Sequence, residues 1–415
     1  MNGLYYHFGI ITYLILIFFV ASCSVPKTIT ESKQSKSLEK AIQLSAKYLQ
    51  KSVKENGMFE YRINTDPTIE VKQKYNILRH AGTIYAMSQY LELYPNDKEM
   101  RTAIEQAGRY LQNKAIEQVP GKKEMLAVWS KPEINNSGRP LEVKLGGTGL
   151  GLVALLSIEK FHQEFTPLSD LRILGNFIVY MQREDGSFYS KYIPAEGGRS
   201  DKWTSLYYPG EAALGLLMLY EKDKSALWVE SAFKALKYIA QKNSDAVVVD
   251  HWYLIATEKM LNLNNYNLTD QQRDLLISHA ARICEKIIDE QIISHKYSEF
   301  RGGFAVDGRI TPSSIRLEGL LAASAFLPNE YREFMRINSA IDRGISFLQR
   351  AQIEEGQYAG AYRRALRKLD GDTVTIRNFN RRVTEIRIDY VQHALSALLG
   401  YVNYSASRNM HNSIS

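Results

Sequence analysis

Two types of helix alternate strictly along this chain, and this alternation constrains the fold more than any other feature of the sequence. The first type is amphipathic and rich in Lys, Glu and Gln, as in "LEKAIQLSAKYLQKSV", "KEMRTAIEQAGRYLQNKA" and "ALWVESAFKALKYIAQKN". The second type is apolar on all sides, as in "GGTGLGLVALLSIEKF", "YPGEAALGLLMLYEK" and "DYVQHALSALLGYV". A helix that is apolar all round is usually buried, whereas an amphipathic helix buries one face. The six helices of each type are therefore predicted to be six outer and six inner helices.

Each amphipathic helix and the apolar helix after it make one helical hairpin, repeated about every 50–60 residues. The predicted fold is all-α, an (α/α)6 toroid of six helical hairpins with long loops on one face. An open solenoid is the alternative, but its ends normally carry polar capping repeats. The last inner helix is as apolar as the others, which favours the closed ring.

A second repeat supports the same arrangement. Four outer helices are followed by a turn with glycine and an aromatic residue, in "ENGMFEYRIN", "QREDGSFYSKY", "EFRGGFAVDGR" and "EEGQYAGAYRR". Glycine accepts a positive φ without steric cost, so these segments predict tight turns. Loops that join outer to inner helices gather on one face of a toroid, around the mouth of a central funnel. Loops on a rigid scaffold are common places for function.

The alternating hairpins resemble the α/α-toroid enzymes, namely six-hairpin glycosidases, polysaccharide lyases and uronyl epimerases. The "DGSF" and "GGF" turns are also similar to those of terpene cyclases and prenyltransferases, which share the toroid. The resemblance covers residues 36 to 405 at the level of architecture and implies a carbohydrate-active enzyme. An isoprenoid enzyme is disfavoured because the chain has no Asp-rich motif. No single motif identifies one family, so the resemblance assigns no catalytic residue.

The N-terminus predicts export. The run "GIITYLILIFFVASCS" has the length of a signal-peptide apolar region and ends in small residues before Cys23. This resembles the lipobox of bacterial lipoproteins, which implies lipidation of Cys23, and Ser24 resembles sorting to an outer membrane where one exists. The segment before the run has no Lys or Arg, so an uncleaved membrane anchor is the alternative. The expected location is extracytoplasmic and membrane-anchored.

These features divide the chain into four segments. Residues 1–22 are the predicted signal peptide, 23–36 a polar tether, 37–405 the toroid domain, and 406–415 a C-terminal tail. The formal net charge of +7 comes from basic residues that are spread along the chain. Without a basic block, nucleic acid is not an expected partner.

Ionisable residues stand at the heads of the inner helices. The residues that head the six apolar runs are His80, Thr148, Glu211, His251, Glu318 and His393, and Asp250 immediately precedes His251. Polar residues at helix N-termini often only complement the helix dipole. Five ionisable groups at equivalent positions, however, would converge on one funnel, which is how a candidate site is defined.

Two chemistries fit this set. In glycoside hydrolysis, which is the first choice, carboxylates of Glu211, Asp250 or Glu318 divide the acid and base or nucleophile roles. In lyase or epimerase chemistry, His80, His251 or His393 together with a Tyr abstracts a proton next to a uronate carboxylate, which Arg79 or Arg316 neutralises. The expected substrate is a polysaccharide or oligosaccharide. A non-catalytic lipoprotein that binds a glycan or a partner protein remains the alternative from a different functional class.

Further residues beside the run heads are predicted to bind substrate. They are Tyr75, Arg79, Trp203, Tyr207, Tyr208, Trp252, Arg316, Asp389 and Tyr390. Arg79 raises a separate question, because a buried cation needs either a hidden partner or a wet cleft, and the cleft is the favoured answer. The His and Glu residues also have the donor types of a zinc site, but no His-x3-His spacing supports one. No metal and no cofactor are therefore expected.

Overall fold

Helices dominate the structure, which is a computed structural model that describes residues 27–72, 74–136, 138, 140–242 and 247–414. In chain order the helices are α1 (Lys27–Ser52), α2 (Ile77–Leu93), α3 (Lys98–Tyr110), α4 (Pro132–Asn135), α5 (Leu145–Ile158), α6 (Leu168–Tyr180), α7 (Tyr208–Asp223), α8 (Ala226–Lys242), α9 (His251–Leu261), α10 (Asp270–Asp289), α11 (Ile310–Ser324), α12 (Asn329–Phe334), α13 (Ile337–Ala351), α14 (Val374–Asn380) and α15 (Ile388–Ile414). The twelve long helices are those that the sequence predicts.

The inner helices form a closed ring. Helix α2 packs against α5, α5 against α7, α7 against α9, α9 against α11 and α11 against α15, and α15 returns to α2. The outer helices α1, α3, α6, α8, α10 and α13 surround them, and α13 packs against α1 across the junction between the last and first hairpins. Every residue of α5 is buried, as expected for a helix that is apolar all round. The toroid is therefore confirmed and the open solenoid is excluded.

Short strands lie in the connections. They are β1 (Arg62–Asn64), β2 (Ile116–Val119), β3 (Lys122–Ser130), β4 (Glu142–Lys144), β5 (Lys191–Ile193), β6 (Gly198–Ser200) and β7 (Glu385–Arg387). Strand β1 pairs with β7 in antiparallel register, which joins the first hairpin to the last. The other five form an antiparallel sheet in sequence order, from β2 to β6. Both sheets belong to the segments that precede inner helices, so they lie where the long loops were predicted.

The predicted glycine turns are present. Gly57, Gly186, Gly302 and Gly360 all have positive φ. An aromatic residue after each turn is buried. These residues are Phe59, Phe188, Phe304 and Tyr362. Each turn therefore attaches its loop to the helical scaffold.

Helices reach into both of the predicted end segments. Helix α1 begins at Lys27, so residues 27–36 of the predicted polar tether are helical. Helix α15 continues to Ile414, so residues 406–414 of the predicted C-terminal tail are helical too. The predicted signal peptide and Cys23 lie outside the described residues. Within the described part of the chain, no helix combines the length and the apolarity needed to cross a membrane.

Candidate active site

Two histidines and a glutamate from three inner helices meet in the centre of the toroid. His251 opens α9, Glu318 lies in α11 and His393 lies in α15. One nitrogen of each histidine and one oxygen of Glu318 all lie within 4.8 Å of one another. His393 Nδ1 is 2.8 Å from Glu318 Oε2, and His251 Nε2 is 3.8 Å from the same oxygen. We call these three residues the central cluster.

The two imidazoles of the central cluster have opposite proton affinities. Burial, with the positive surroundings of His393 and Arg316, holds the pKa of His251 well below its usual value. Burial also disfavours the charged form of His393, but the adjoining Glu318 carboxylate outweighs it and raises the pKa of His393. The two pKa shifts therefore favour a neutral His251 and a charged His393 beside the Glu318 carboxylate. Groups whose pKa values are pushed apart are suited to divide acid and base roles.

His251 differs from His393 in its contacts. Among the described residues, neither of its ring nitrogens has a hydrogen-bond partner, although the side chain is only 5% exposed. Buried polar atoms are almost always paired, because an unpaired one costs about 1–3 kcal/mol. The two unpaired nitrogens of His251 are therefore unusual for a buried side chain.

A buried pair of carboxyl groups stands beside the central cluster. Glu211 lies in the first turn of α7, and Asp250 caps α9 by accepting a hydrogen bond from the Trp252 amide at 2.9 Å. Burial and the neighbouring Asp250 raise the pKa of Glu211 to about 8. Burial raises the pKa of Asp250 to about 8, even though its backbone hydrogen bonds oppose the shift. Glu211 Oε2 and Asp250 Oδ2 have no hydrogen-bond partner in the part of the chain that the structure describes. We call these two residues the carboxyl pair.

Aromatic rings surround these groups. The Tyr207 ring centroid is 6.1 Å from that of His251, and the Trp252 ring is 4.8 Å from it. Trp252 is buried, whereas Trp203 and Tyr207 are exposed. Tyr208 contacts Trp203, with 5.6 Å between their ring centroids.

Two arginines lie near the site, each with a carboxylate partner. Arg79 Nε is 3.0 Å from Asp389 Oδ2, and Arg79 also donates a hydrogen bond to the Tyr61 hydroxyl. The charge of Arg79 thus has a buried partner in Asp389, and the Arg79 side chain also remains 33% exposed to solvent. Arg316 is paired with Glu290 at 2.5 Å.

Asp389 and Tyr390 serve the scaffold. Asp389 binds both Arg79 and Arg387, and these charges outweigh burial and hold the pKa of Asp389 far below its usual value. The Tyr390 hydroxyl donates to Glu385 at 2.7 Å. These contacts give both predicted binding residues structural partners.

The structure places His80 and Tyr75 outside the central cluster, although the sequence predicted that His80 would join the other histidines. Both ring nitrogens of His80 are hydrogen-bonded. Nδ1 lies 2.7 Å from the Tyr75 hydroxyl, and Nε2 lies 2.9 Å from the Ala107 carbonyl oxygen of α3. Burial lowers the pKa of His80 to about 4, so it is a neutral core histidine. It faces an outer helix because the inner helix is buried on both sides.

Glu318 also differs from its expected place. Helix α11 begins at Ile310, so Glu318 lies eight residues inside the helix and not at its start. The sequence did not indicate Tyr85 or Glu258, two further partly buried residues on inner helices. Burial, together with Glu258, Glu92 and Glu318, raises the pKa of Tyr85, and burial raises that of Glu258 to about 7. Both lie inside apolar helices, where a search for polar residues at the helix starts does not find them.

The central cluster also has the donor types of a metal site, since two imidazoles and a carboxylate bind zinc and other divalent ions. In the arrangement described here, His393 Nδ1 and Glu318 Oε2 are 2.8 Å apart, which is the length of a hydrogen bond.

Solved structures confirm the fold. A cellobiose 2-epimerase from Spirochaeta thermophila matches with a TM-score of 0.60 and 14% identity, over 90% of this chain and 98% of that one. A GH76A alpha-1,6-mannanase from Salegentibacter sp. matches with a TM-score of 0.55 and 11% identity, over 88% and 98%. A glycosyl hydrolase family 88 protein from Bacteroides vulgatus matches at 0.58 and 11%, over 89% and 99%. No protein-family model and no curated protein matches the sequence. The chain is thus similar to α/α-toroid proteins in fold.

Proposed function

We propose that this protein is a carbohydrate-processing enzyme that moves a proton at a sugar carbon next to a carbonyl group, as a sugar epimerase or isomerase does. The observation that carries the proposal is the central cluster, in which a neutral His251, unpartnered among the described residues, faces a second imidazole that shares a proton with Glu318. The fold is compatible with this reaction and with others. An epimerase and a mannanase are both among its structural neighbours, so the site has to decide between them.

The chemistry follows from the two pKa directions. His251 takes the proton as the C–H bond breaks. The electron pair of that bond moves toward the carbonyl group and gives an enediolate. His393 donates a proton to the oxygen or carbon that becomes basic, and Glu318 stabilises the charge on its imidazole. Return of a proton to the other face of the same carbon gives an epimer, whereas return to the neighbouring carbon gives an isomer. General acid–base groups of this kind typically contribute about 10²–10⁴-fold to a rate.

A second candidate, glycoside hydrolysis, is supported by the carboxyl pair. A carboxyl group with a pKa of about 8 is protonated at neutral pH and can act as a general acid toward a glycosidic oxygen. Glu211 and Asp250 would supply the two carboxyl groups that this reaction needs. The central cluster ranks higher because the pKa values of Glu211 and Asp250 are both raised to about 8, so neither supplies the ionised base or nucleophile that hydrolysis needs at neutral pH.

Solvent isotope exchange separates the two candidates. Reducing sugars incubated with the enzyme in D2O are expected to gain deuterium at the carbon that loses the proton, as measured by NMR. His251→Asn and His393→Asn should lower this exchange by at least about 100-fold, because each removes one proton-transfer group. Glu211→Gln should leave the exchange reaction within about tenfold of the parent rate.

The matched control is His162→Asn, since His162 forms a similar contact with Glu105 at 2.9 Å on the outside of the ring. It should leave exchange unchanged. Release of reducing ends from an oligosaccharide without any deuterium uptake, lost in Glu211→Gln, would instead establish the hydrolase. Binding of saccharides without either reaction would leave a glycan-binding protein.

We also propose that the enzyme works outside the cytoplasm, anchored through a lipid on Cys23. The support is the small-residue sequence before Cys23 and the apolar run that precedes it. Labelled palmitate should be incorporated into the expressed full chain and not into Cys23→Ser. Equal labelling of both proteins would contradict the proposal.

A further inference from the structure

A cavity of about 260 Å³ lies at the edge of the five-stranded sheet, outside the central cluster. Strands β4, β5 and β6 and the loop after them supply its lining, which includes Glu142, Lys191, Lys202 and Trp203. Cavities for drug-sized ligands span about 300–1,000 Å³. This one therefore has room for roughly one sugar ring.

The lining suits a neutral, hydroxyl-rich ligand. Glu142 is buried and binds Lys191 at 2.8 Å, while Lys202 binds Glu196 at 3.0 Å. Because these charges are paired, the cavity offers hydrogen-bond donors and acceptors with no strong demand for an ion. The Lys191 ammonium lies 5.4 Å from the centroid of the Trp203 ring.

Trp203 supplies the apolar surface. It is 48% exposed, whereas the other three tryptophans of the chain, Trp129, Trp228 and Trp252, are at most 3% exposed. An exposed indole beside paired polar groups combines a flat apolar face with hydrogen-bonding edges. Sugar rings have the complementary character, with C–H groups on their faces and hydroxyls at their edges.

Two consecutive tyrosines connect this cavity to the central cluster. Tyr207 contacts His251, and Tyr208 contacts Trp203. Tyr208 also packs beside Gly146 together with Glu211, since a Cβ at Gly146 would meet Tyr208 Cδ1 at 2.5 Å and Glu211 Oε2 at 1.8 Å. Neighbouring Cα atoms are about 3.8 Å apart, so the cavity and the cluster flank one short stretch of chain.

We infer that the Trp203 cavity is a second saccharide subsite, which takes the ring linked to the sugar that reacts at the central cluster. The substrate class is accordingly a neutral disaccharide or longer oligosaccharide with a free reducing end. This inference rests on the proposed function for the identity of the reacting ring, but the subsite itself makes a separate prediction about binding.

Iodide quenching of tryptophan fluorescence tests the subsite directly. Iodide reaches exposed indoles, so quenching of the parent reports mainly on Trp203. A panel of neutral disaccharides that includes cellobiose and α-1,6-mannobiose is compared with D-mannose. At least one disaccharide should reduce quenching severalfold more than the monosaccharide. Failure of every disaccharide to protect Trp203, or equal protection by D-mannose, would overturn the inference.

A second test of the subsite compares the kinetics of two variants. Trp203→Ala should lower the ratio of kcat/KM for the protective disaccharide to that for its monosaccharide by about tenfold, the effect of losing one aromatic anchor. Tyr331→Ala is the matched control, because Tyr331 is 44% exposed but lies on α12, an addition to the outer layer. An unchanged ratio in Trp203→Ala would contradict the subsite.

The two proposals fail in different ways. If turnover survives in His251→Asn and His393→Asn, the proposed chemistry is wrong, yet protection of Trp203 by a disaccharide in those same proteins still supports the subsite. If turnover is lost in both variants but no saccharide protects Trp203, the chemistry stands and the subsite is wrong.

Discussion

At the scale of single residues, Glu211 and Asp250 make the stability of the protein depend on pH. Both side chains are buried, at 3% and 2% exposure, and their pKa values are raised to about 8. Between their ordinary pKa values of 4.5 and 3.8 and the folded value near 8, the folded state binds more protons than the unfolded state. Their contribution to stability is therefore present at acid pH and is lost as the pH rises toward 8.

Glu211→Gln tests this, because glutamine keeps the shape of the protonated acid and does not titrate. Relative to the parent, the variant should gain free energy of unfolding between pH 5 and 8, by up to about 1.4 kcal/mol per pH unit. Urea unfolding at four pH values measures the free energy of unfolding of parent and variant. Subtracting one from the other at each pH removes the contributions of the other titrating groups. Glu230→Gln, an exposed position on α8, should show no such trend. A constant difference for Glu211→Gln would mean that its carboxyl group ionises normally.

The same scale shows why residue type alone did not identify the site. His80 and His393 both head apolar runs, and the sequence gives no reason to separate them. In the structure, His80 is satisfied by Tyr75 and by the Ala107 carbonyl of an outer helix, whereas His393 reaches Glu318 in the centre. An inner helix is buried on both its funnel side and its outer side, so apolar periodicity does not say which way a polar residue faces.

At the scale of elements, glycine turns attach each loop to the next outer helix. A Cβ at Gly57, Gly186, Gly302 or Gly360 would lie 2.0–2.3 Å from a backbone carbonyl oxygen, of Gln106, Lys234, Arg343 and Leu44 respectively. These four carbonyl oxygens belong to α3, α8, α13 and α1. The sequence repeat therefore has a physical cause beyond the turn itself, because only glycine permits this close approach.

Gly186→Ala should destabilise the protein by more than a strained turn alone. It combines positive φ, which costs about 1–2 kcal/mol, with a backbone clash of about 1–3 kcal/mol. Gly121→Ala is the matched control, since Gly121 also has positive φ but no atom of the described residues lies within 4 Å of the point where a Cβ would stand. Thermal unfolding should show a clearly larger loss for Gly186→Ala. Equal losses of stability in the two variants would mean that the close contact with the Lys234 carbonyl adds nothing to the destabilisation.

At the scale of the whole molecule, the ring is closed by contacts between the two ends of the chain. Strand β1 pairs with β7, α2 packs against α15, and Arg79 of α2 binds Asp389 of α15. Asp389 also binds Arg387, so one buried carboxylate neutralises two cations at the junction. Loss of that carboxylate would leave the two arginines without their shared counter-ion.

Asp389→Asn should therefore lower the free energy of unfolding by about 3–5 kcal/mol, the usual cost of breaking a buried ion pair. Lys40 and Glu354 form another ion pair across the same junction, but their side chains are 61% and 62% exposed. Glu354→Gln should cost at most about 1 kcal/mol, because exposed pairs contribute little. Denaturant unfolding of both variants measures the contrast, and similar losses would show that burial does not set the value of the Asp389 contacts.

The sequence by itself determined the toroid, since six amphipathic and six apolar helices leave few other ways to bury apolar surface. It also indicated His251, Glu318, His393, Glu211 and Asp250 as candidates, and the structure brings them together. It did not reveal that α11 starts eight residues before Glu318, that Asp389 pairs with Arg79, or that the pKa values of Tyr85 and Glu258 are raised. Those outcomes depend on the rotation of each inner helix about its own axis. Packing against two neighbouring helices and an outer layer sets that rotation, and a helix that is apolar all round carries no local signal for it.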